Sequence, residues 1–151
     1  MADKAEKKYI LTNRRSGKVL TATENGVVQL TANGSDAQVW RAVPTEGTAV
    51  MLINKENGMA MQVMGETENG AVVTLGETAE QEWKLTTTTK GFRKLVHVAS
   101  GKVVDIKDIS DCDNAPAQIW EFVKGENQEW AAEEVEKEKK APAKRAAKTT
   151  K

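Results

Sequence analysis

Through residue 130 the apolar side chains come in short runs that alternate with polar ones and are broken by Gly, Asn and Ser. Alternation at period two marks half-buried strands, and no stretch before residue 131 keeps the 3.6-residue spacing of an amphipathic helix. Three stretches, "YILTNRRSGKVLTATENGVVQL", "VMLINKENGMAMQVMGETENGAVVTL" and "LVHVASGKVVDIKDISDCDNAPAQIW", follow one plan. An opening strand (Tyr9 to Leu11, Val50 to Ile53, Leu95 to Val98) leads to a turn ending at Gly17, Gly58 or Gly101. A second strand follows (Lys18 to Ala22, Met59 to Val63, Lys102 to Ile106), then a variable loop and a third strand (Val27 to Leu30, Val72 to Leu75, Ala117 to Trp120). The Ser-Gly and Asn-Gly pairs suit tight two-residue turns, because Gly and Asn accept the positive φ that such a connection demands.

Each unit then closes on Gln-x-Trp, at Gln38 and Trp40, Gln81 and Trp83, and Gln128 and Trp130, with a fourth strand beyond. The third unit carries the pattern twice, since Gln118-Ile119-Trp120 precedes it. Strand order separates the two: "AQIW" stands where the other units have "VVQL" and "VVTL", so Gln128 and Trp130 close the unit and Trp120 belongs to its third strand. Four strands per unit and about twelve in all predict an all-β fold, a β-trefoil, in which no unit buries its apolar face alone. The units span about 8–43, 48–87 and 92–131 within a domain 8–131, flanked by a charged lead, 1–7, and a tail, 132–151.

Aromatics make up only 5% of a chain that is 39% hydrophobic, so each of the four tryptophans is informative. Trp40, Trp83 and Trp130 are expected to fill the centre of the threefold core, with Gln38, Gln81 and Gln128 satisfying nearby backbone groups. Trp120, the extra indole, needs another explanation.

The three closures, each preceded by a Gly turn and a strand pair, make residues 8 to 131 resemble the ricin B-type lectin family. The resemblance implies a β-trefoil and a small sugar site in any unit that keeps four residues: an Asp on the second strand, a Gln and an aromatic two residues later on the third, and an Asn before the closure; with no catalytic triad and no oxyanion hole offered by the residues themselves, no enzymatic activity is expected. Unit 3 keeps all four as Asp105, Gln118, Trp120 and Asn127. Unit 1 offers Thr21, Gln29, Thr31 and Ala37; unit 2 offers Gln62, Val73, Leu75 and Glu80. One competent site is therefore expected, and by the same resemblance its ligand is of galactose or N-acetylgalactosamine type. The chemistry agrees independently: an ionised carboxylate accepts two hydroxyl donors, and a flat indole covers the C–H face of a pyranose. Asn127 both gives and accepts, and Gln118 shares the strand face of Trp120 and could hold Asp105 in place. The loop "KDISDCDNAP" is expected to be the longest of the three equivalents and to wall one side.

Other signals are weaker. Asp108, Asp111 and Asp113 lack the carboxylate frame of a calcium loop and read as a solvated loop. His97, Ser100 and Asp105 do not make a triad, because on a strand and turn His97 and Ser100 need not meet. A single Cys, Cys112, and a single His leave no zinc set, and no cofactor is implied. A charged N-terminus and the absence of any apolar run of about 18 residues suggest no signal peptide and no membrane span, hence a cytoplasmic protein.

Basic and acidic residues balance at 22 each, yet residues 131–151 hold seven basic and four acidic side chains. That tail, rich in Ala, Lys and Glu, reads as disordered or partly helical. Lys144, Arg145, Lys148 and Lys151 could touch phosphates. The competing functional reading is an intracellular trefoil that scaffolds a protein or nucleic-acid interaction, with the tail contributing.

Overall fold

A computed structural model describes residues 6–77, 81–88 and 90–135. Twelve strands are found among them: β1 (Lys7–Asn13), β2 (Val19–Thr23), β3 (Gly26–Leu30), β4 (Trp40–Pro44), β5 (Val50–Asn54), β6 (Ala60–Val63), β7 (Val73–Gly76), β8 (Trp83–Thr87), β9 (Arg93–His97), β10 (Val103–Ile106), β11 (Ala115–Trp120) and β12 (Trp130–Val135). Short 3-10 turns stand at Asp36–Gln38, Lys107–Ile109 and Glu126–Gln128. The predicted order of strands within each unit is therefore present. β12 continues to Val135, so the residues just after 131 are still paired with β1. The structure of the rest of the tail, and with it Lys144, Arg145, Lys148 and Lys151, lies outside the described residues.

Pairing explains the architecture. β1 joins β12 and β4, β4 joins β5, β5 joins β8, β8 joins β9, and β9 joins β12, which closes six strands into a ring. The other six form the hairpins β2–β3, β6–β7 and β10–β11, each tied to the ring through β1, β5 or β9. A closed six-stranded barrel with three hairpins over it is a β-trefoil. Closure removes the barrel's sheet edges and with them the template for unwanted pairing.

The three closing tryptophans are fully buried, as are Leu11, Leu52 and Leu95 from the opening strands. Each indole Nε1–H donates to a second-strand carbonyl: Trp40 to Leu20 at 3.1 Å, Trp83 to Met61 at 3.1 Å and Trp130 to Val104 at 3.0 Å. An indole thus brings a large apolar area to the core without stranding its polar atom. These bonds also fix the alignment of the units, since Leu20, Met61 and Val104 must be equivalent.

The opening turns differ from the two-residue expectation. The backbone N–H of Asn13 donates to Lys18 O at 2.8 Å and that of Gly17 to Asn13 O at 2.9 Å, so the loop has four residues, 14–17, and ends on a left-handed glycine at φ 75°. The same pairs recur at Asn54 with Met59 and Gly58, and at His97 with Lys102 and Gly101. Asn13 supports the longer turn with its side chain, whose Oδ1 accepts the N–H groups of Arg15 and Ser16. Positive φ is needed at the last loop position, where only Gly adopts it without strain.

Candidate functional site

Asp105 and Gln118 face each other across β10 and β11. Both are buried, and Gln118 Nε2–H donates to Asp105 Oδ1 at 3.0 Å. The other carboxylate oxygen accepts from Gln128 Nε2 at 3.3 Å. Burial pushes the Asp105 carboxyl above its ordinary 3.8, and the bonds from Gln118 and Gln128 pull against that rise. Each oxygen still has acceptor capacity beyond these amides.

Trp120 lies two residues beyond Gln118 and is 38% exposed, a high figure for an indole in a protein whose other three are fully covered. Behind it stands the β6–β7 loop of the preceding repeat. Asn69 Oδ1 accepts the N–H of Glu121 at 2.9 Å, and a Cβ placed on Gly70 would lie 3.8 Å from Trp120 Cζ3. Asn127 completes the group: its Nδ2–H donates to Ile106 O at 2.9 Å, and its backbone carbonyl accepts from Asn13 Nδ2 at 2.9 Å. Asn127 Oδ1 is buried and has no hydrogen-bond partner among the described residues. A buried acceptor left open costs about 1–3 kcal/mol.

Asp105, Gln118, Trp120 and Asn127 all line one open cavity of about 500 Å³, so the structure brings together every residue the sequence nominated. Lys107, Asp108 and Ile109 wall it, as expected of their loop. That loop is not the longest, however: β11 starts at Ala115, leaving eight residues, 107–114, against nine, 64–72, between β6 and β7.

Gln128, read from sequence only as a scaffold residue, has a double role. Its Oε1 accepts Val123 N–H at 2.8 Å and its Nε2 donates to Glu121 O at 2.8 Å, besides holding Asp105. Gln38 gives the hint, because it makes the corresponding contacts with Asn33 N, Thr31 O and the hydroxyl of Thr21. Gly70 had no signal in sequence, since it comes from another repeat.

Register corrects the assignment of the other repeats. Asp105 pairs with Gln118, but its equivalent Thr21 pairs with Val28 and Gln62 with Thr74. The counterparts of Gln118 and Trp120 are therefore Val28 and Leu30 in the first repeat and Thr74 and Gly76 in the second, not Gln29 and Thr31 or Val73 and Leu75. A one-residue slip turns every side chain to the opposite face. Gln29 accordingly does something else: buried, it donates to Ser110 O and Cys112 O and fastens the β10–β11 loop to the first repeat. In the second repeat the side-chain amide of Gln62 lies over Gly76 and occupies the space that an added Cβ would take. Glu80 is outside the described residues.

Two other readings change. His97 and Ser100 do meet, with Nδ1 and Oγ 2.9 Å apart. They form no relay with Asp105, because His97 Nε2 is taken by Gln81 Oε1 at 2.9 Å. Gln81 uses that same oxygen to accept Val63 N–H and its Nε2 to reach Val63 O, which makes the oxygen an acceptor and His97 Nε2 a donor. The acidic loop is docked rather than merely solvated: Asp113 Oδ1 accepts Thr31 N–H at 2.9 Å and approaches Lys18 at 3.7 Å, and Asp111 approaches Arg15 at 3.3 Å. Among the described residues no group of three His, Cys, Asp or Glu is placed to hold a metal, and no helix is long and apolar enough to cross a membrane.

A six-stranded barrel capped by three hairpins, with one hairpin opening a polar and aromatic cleft, is a β-trefoil with a single candidate binding site among the described residues. The chain belongs to the ricin-type β-trefoil lectin domain-like family, whose model matches residues 2–76 and 79–141. Compared by sequence with curated proteins, it matches none. It is similar in structure to the designed threefold-symmetric protein ThreeFoil (TM-score 0.81, 30% identity, 85% of this chain and 99% of that one). An exo-β-1,3-galactanase from Clostridium thermocellum is similar at 31% identity and TM-score 0.78, over 85% of this chain but only 30% of the enzyme's. The Macrolepiota procera ricin B-like lectin, solved with lactose, shares the fold at TM-score 0.79 and 16% identity, over 88% of this chain and 99% of that one.

Proposed function

We propose that the protein is a non-enzymatic carbohydrate-binding module with one competent site, in the third repeat, for a sugar of galactose or N-acetylgalactosamine type. The observation that carries this reading is the buried, partnerless Oδ1 of Asn127 in the same cavity as the carboxylate of Asp105 and the half-open face of Trp120. A pyranose offers what these groups lack: hydroxyl donors for two acceptors and a C–H face for an indole. The family and the lactose bound to the Macrolepiota procera lectin support a sugar of this class. The galactanase is compatible with a binding role, since the chain corresponds to less than a third of that enzyme.

Absence of catalysis is supported by the state of the reactive groups. Asp105 is fixed by two amides, and the Ser100–His97 pair is closed by Gln81 instead of a carboxylate. A shallow site for one ring binds weakly, near millimolar, or about 4 kcal/mol.

Calorimetric titration with galactose and lactose tests the reading. Saturable binding that is lost in Asp105→Ala and in Trp120→Ala, with both variants folded, is expected. No heat at high millimolar sugar, or heat unchanged in both variants, contradicts it.

A further inference from the structure

The cavity holds more apolar surface than one sugar face requires. Six large hydrophobic side chains are exposed among the described residues, and three of them, Ile109, Trp120 and Val123, line this one cavity. Ile109 is 56% and Val123 63% exposed, and they come from different segments, the loop after β10 and the loop before the closing Gln-x-Trp. Exposed apolar groups scattered singly need no explanation, but a cluster at the mouth of a polar site does.

Neither side chain is demanded by the scaffold. The structural duty at Val123 is borne by its backbone N–H, which Gln128 accepts; in the first repeat Gln38 accepts the N–H of Asn33 in the same way. An Asn therefore serves equally well there, and valine is a choice of side chain alone. Ile109 has no counterpart in the first repeat, where Glu24 and Asn25 alone join β2 to β3. It also sits at φ 52°, directly after Asp108 at φ 60°. For a β-branched residue that conformation is an outlier, and held strain of this kind gathers at binding sites. Asn or Gly would relieve it.

Resting on the sugar-site reading above, we propose that the ligand is a glycoside with an apolar aglycone, an aryl or alkyl group, that leaves the ring held at Asp105, Trp120 and Asn127 and lies against Ile109 and Val123. Continuity argues for this occupant, because the apolar residues border the same open space as the polar ones. At about 500 Å³ that space lies within the range of roughly 300–1,000 Å³ found for pockets that enclose drug-sized ligands. Two walls from two segments offer more than the single methyl of an N-acetyl group needs.

The test compares methyl and p-nitrophenyl galactosides, in both anomers, by calorimetry on the whole chain and on Val123→Asn and Ile109→Asn. For one anomer the aryl glycoside should bind at least about fivefold tighter than the methyl glycoside, as expected for burying a few tens of Å² of apolar surface. That ratio should fall to about one when Val123→Asn and Ile109→Asn are combined. Ile109→Asn should melt no lower than the parent, which separates loss of the ratio from loss of fold. Equal affinities in the parent for both anomers, a ratio that survives in the double variant, or a gain from an N-acetyl group with none from the aryl group would each overturn the proposal. If neither glycoside binds, the sugar-site reading fails first and this one with it; if both bind alike, only this one fails.

Discussion

The side-chain amide of Gln128 donates to the carboxylate of Asp105 at 3.3 Å while its oxygen accepts the N–H of Val123 at 2.8 Å. One residue of the repeated Gln-x-Trp closure thus braces both the scaffold loop and the acidic group of the cleft. Gln38 does the same around Thr21, where no carboxylate stands. Gln128→Leu and Gln38→Leu should therefore each lose stability, by about 1–3 kcal/mol for every buried group left unpaired. Urea denaturation should show comparable losses, and only Gln128→Leu should also weaken sugar binding.

Acidity should control binding through Asp105. Its folded-state pKa is raised above 3.8, first by burial, against the opposing bonds of Gln118 and Gln128. Protonation removes the negative acceptor that two hydroxyls need, so affinity should hold at neutral pH and fall as pH drops through that raised value. The loss should begin above the pH at which an ordinary carboxylate titrates. Asp105→Asn should bind more weakly throughout and show no such dependence when measured by calorimetry across acidic pH.

Stability should respond to His97. Buried against Trp83, with ring centroids 4.9 Å apart, it has a pKa pushed below the ordinary 6.5 by desolvation. The unfolded chain therefore takes up the proton before the folded one does. The stabilisation is fully present above about 6.5 and is lost as pH falls from there through the lower folded-state value, with a limiting slope of about 1.4 kcal/mol per pH unit. Asp105 has the opposite sign, since its raised pKa favours the folded state where it is protonated, at lower pH. His97→Asn, the residue type of Asn13 and Asn54 at the same position, should flatten the His97 part of the curve in pH-dependent urea melts.

The two tryptophans of the third repeat should behave in opposite ways. Trp130→Ala removes a fully buried indole and its bond to Val104, a change of about 3–5 kcal/mol. Trp120→Ala removes a partly exposed ring and should cost far less stability while abolishing the fluorescence response to sugar. Thermal melts paired with fluorescence titration distinguish them.

The threefold plan was legible because strand alternation, turn glycines and Gln-x-Trp are local features that repeat along the chain. So was the membership of the cleft in the third repeat, where Asp105, Gln118, Trp120 and Asn127 fall at fixed distances from those markers. What could not be read was register in the other two repeats. "VVQL", "VVTL" and "AQIW" align plausibly by their ends, yet pairing places Leu30 and Gly76, not Thr31 and Leu75, opposite the residues that match Val103. Contacts between repeats were equally hidden: Gly70 behind Trp120, Gln29 on the β10–β11 loop, and Gln81 on His97 all depend on how the barrel closes. His97 meeting Ser100 belongs to the same class, because a four-residue turn brings together groups that a two-residue turn would not.

The central claim, that a single sugar site lies in the third repeat, is tested most directly by amide chemical-shift mapping during titration with methyl galactoside. Shifts should concentrate at Asp105 to Ile109, Gln118 to Trp120 and Val123 to Gln128, with the Trp120 indole moving and those of Trp40 and Trp83 still. Saturating shifts centred instead on Thr21 or Gln62, or an unperturbed spectrum at high millimolar sugar, would contradict it.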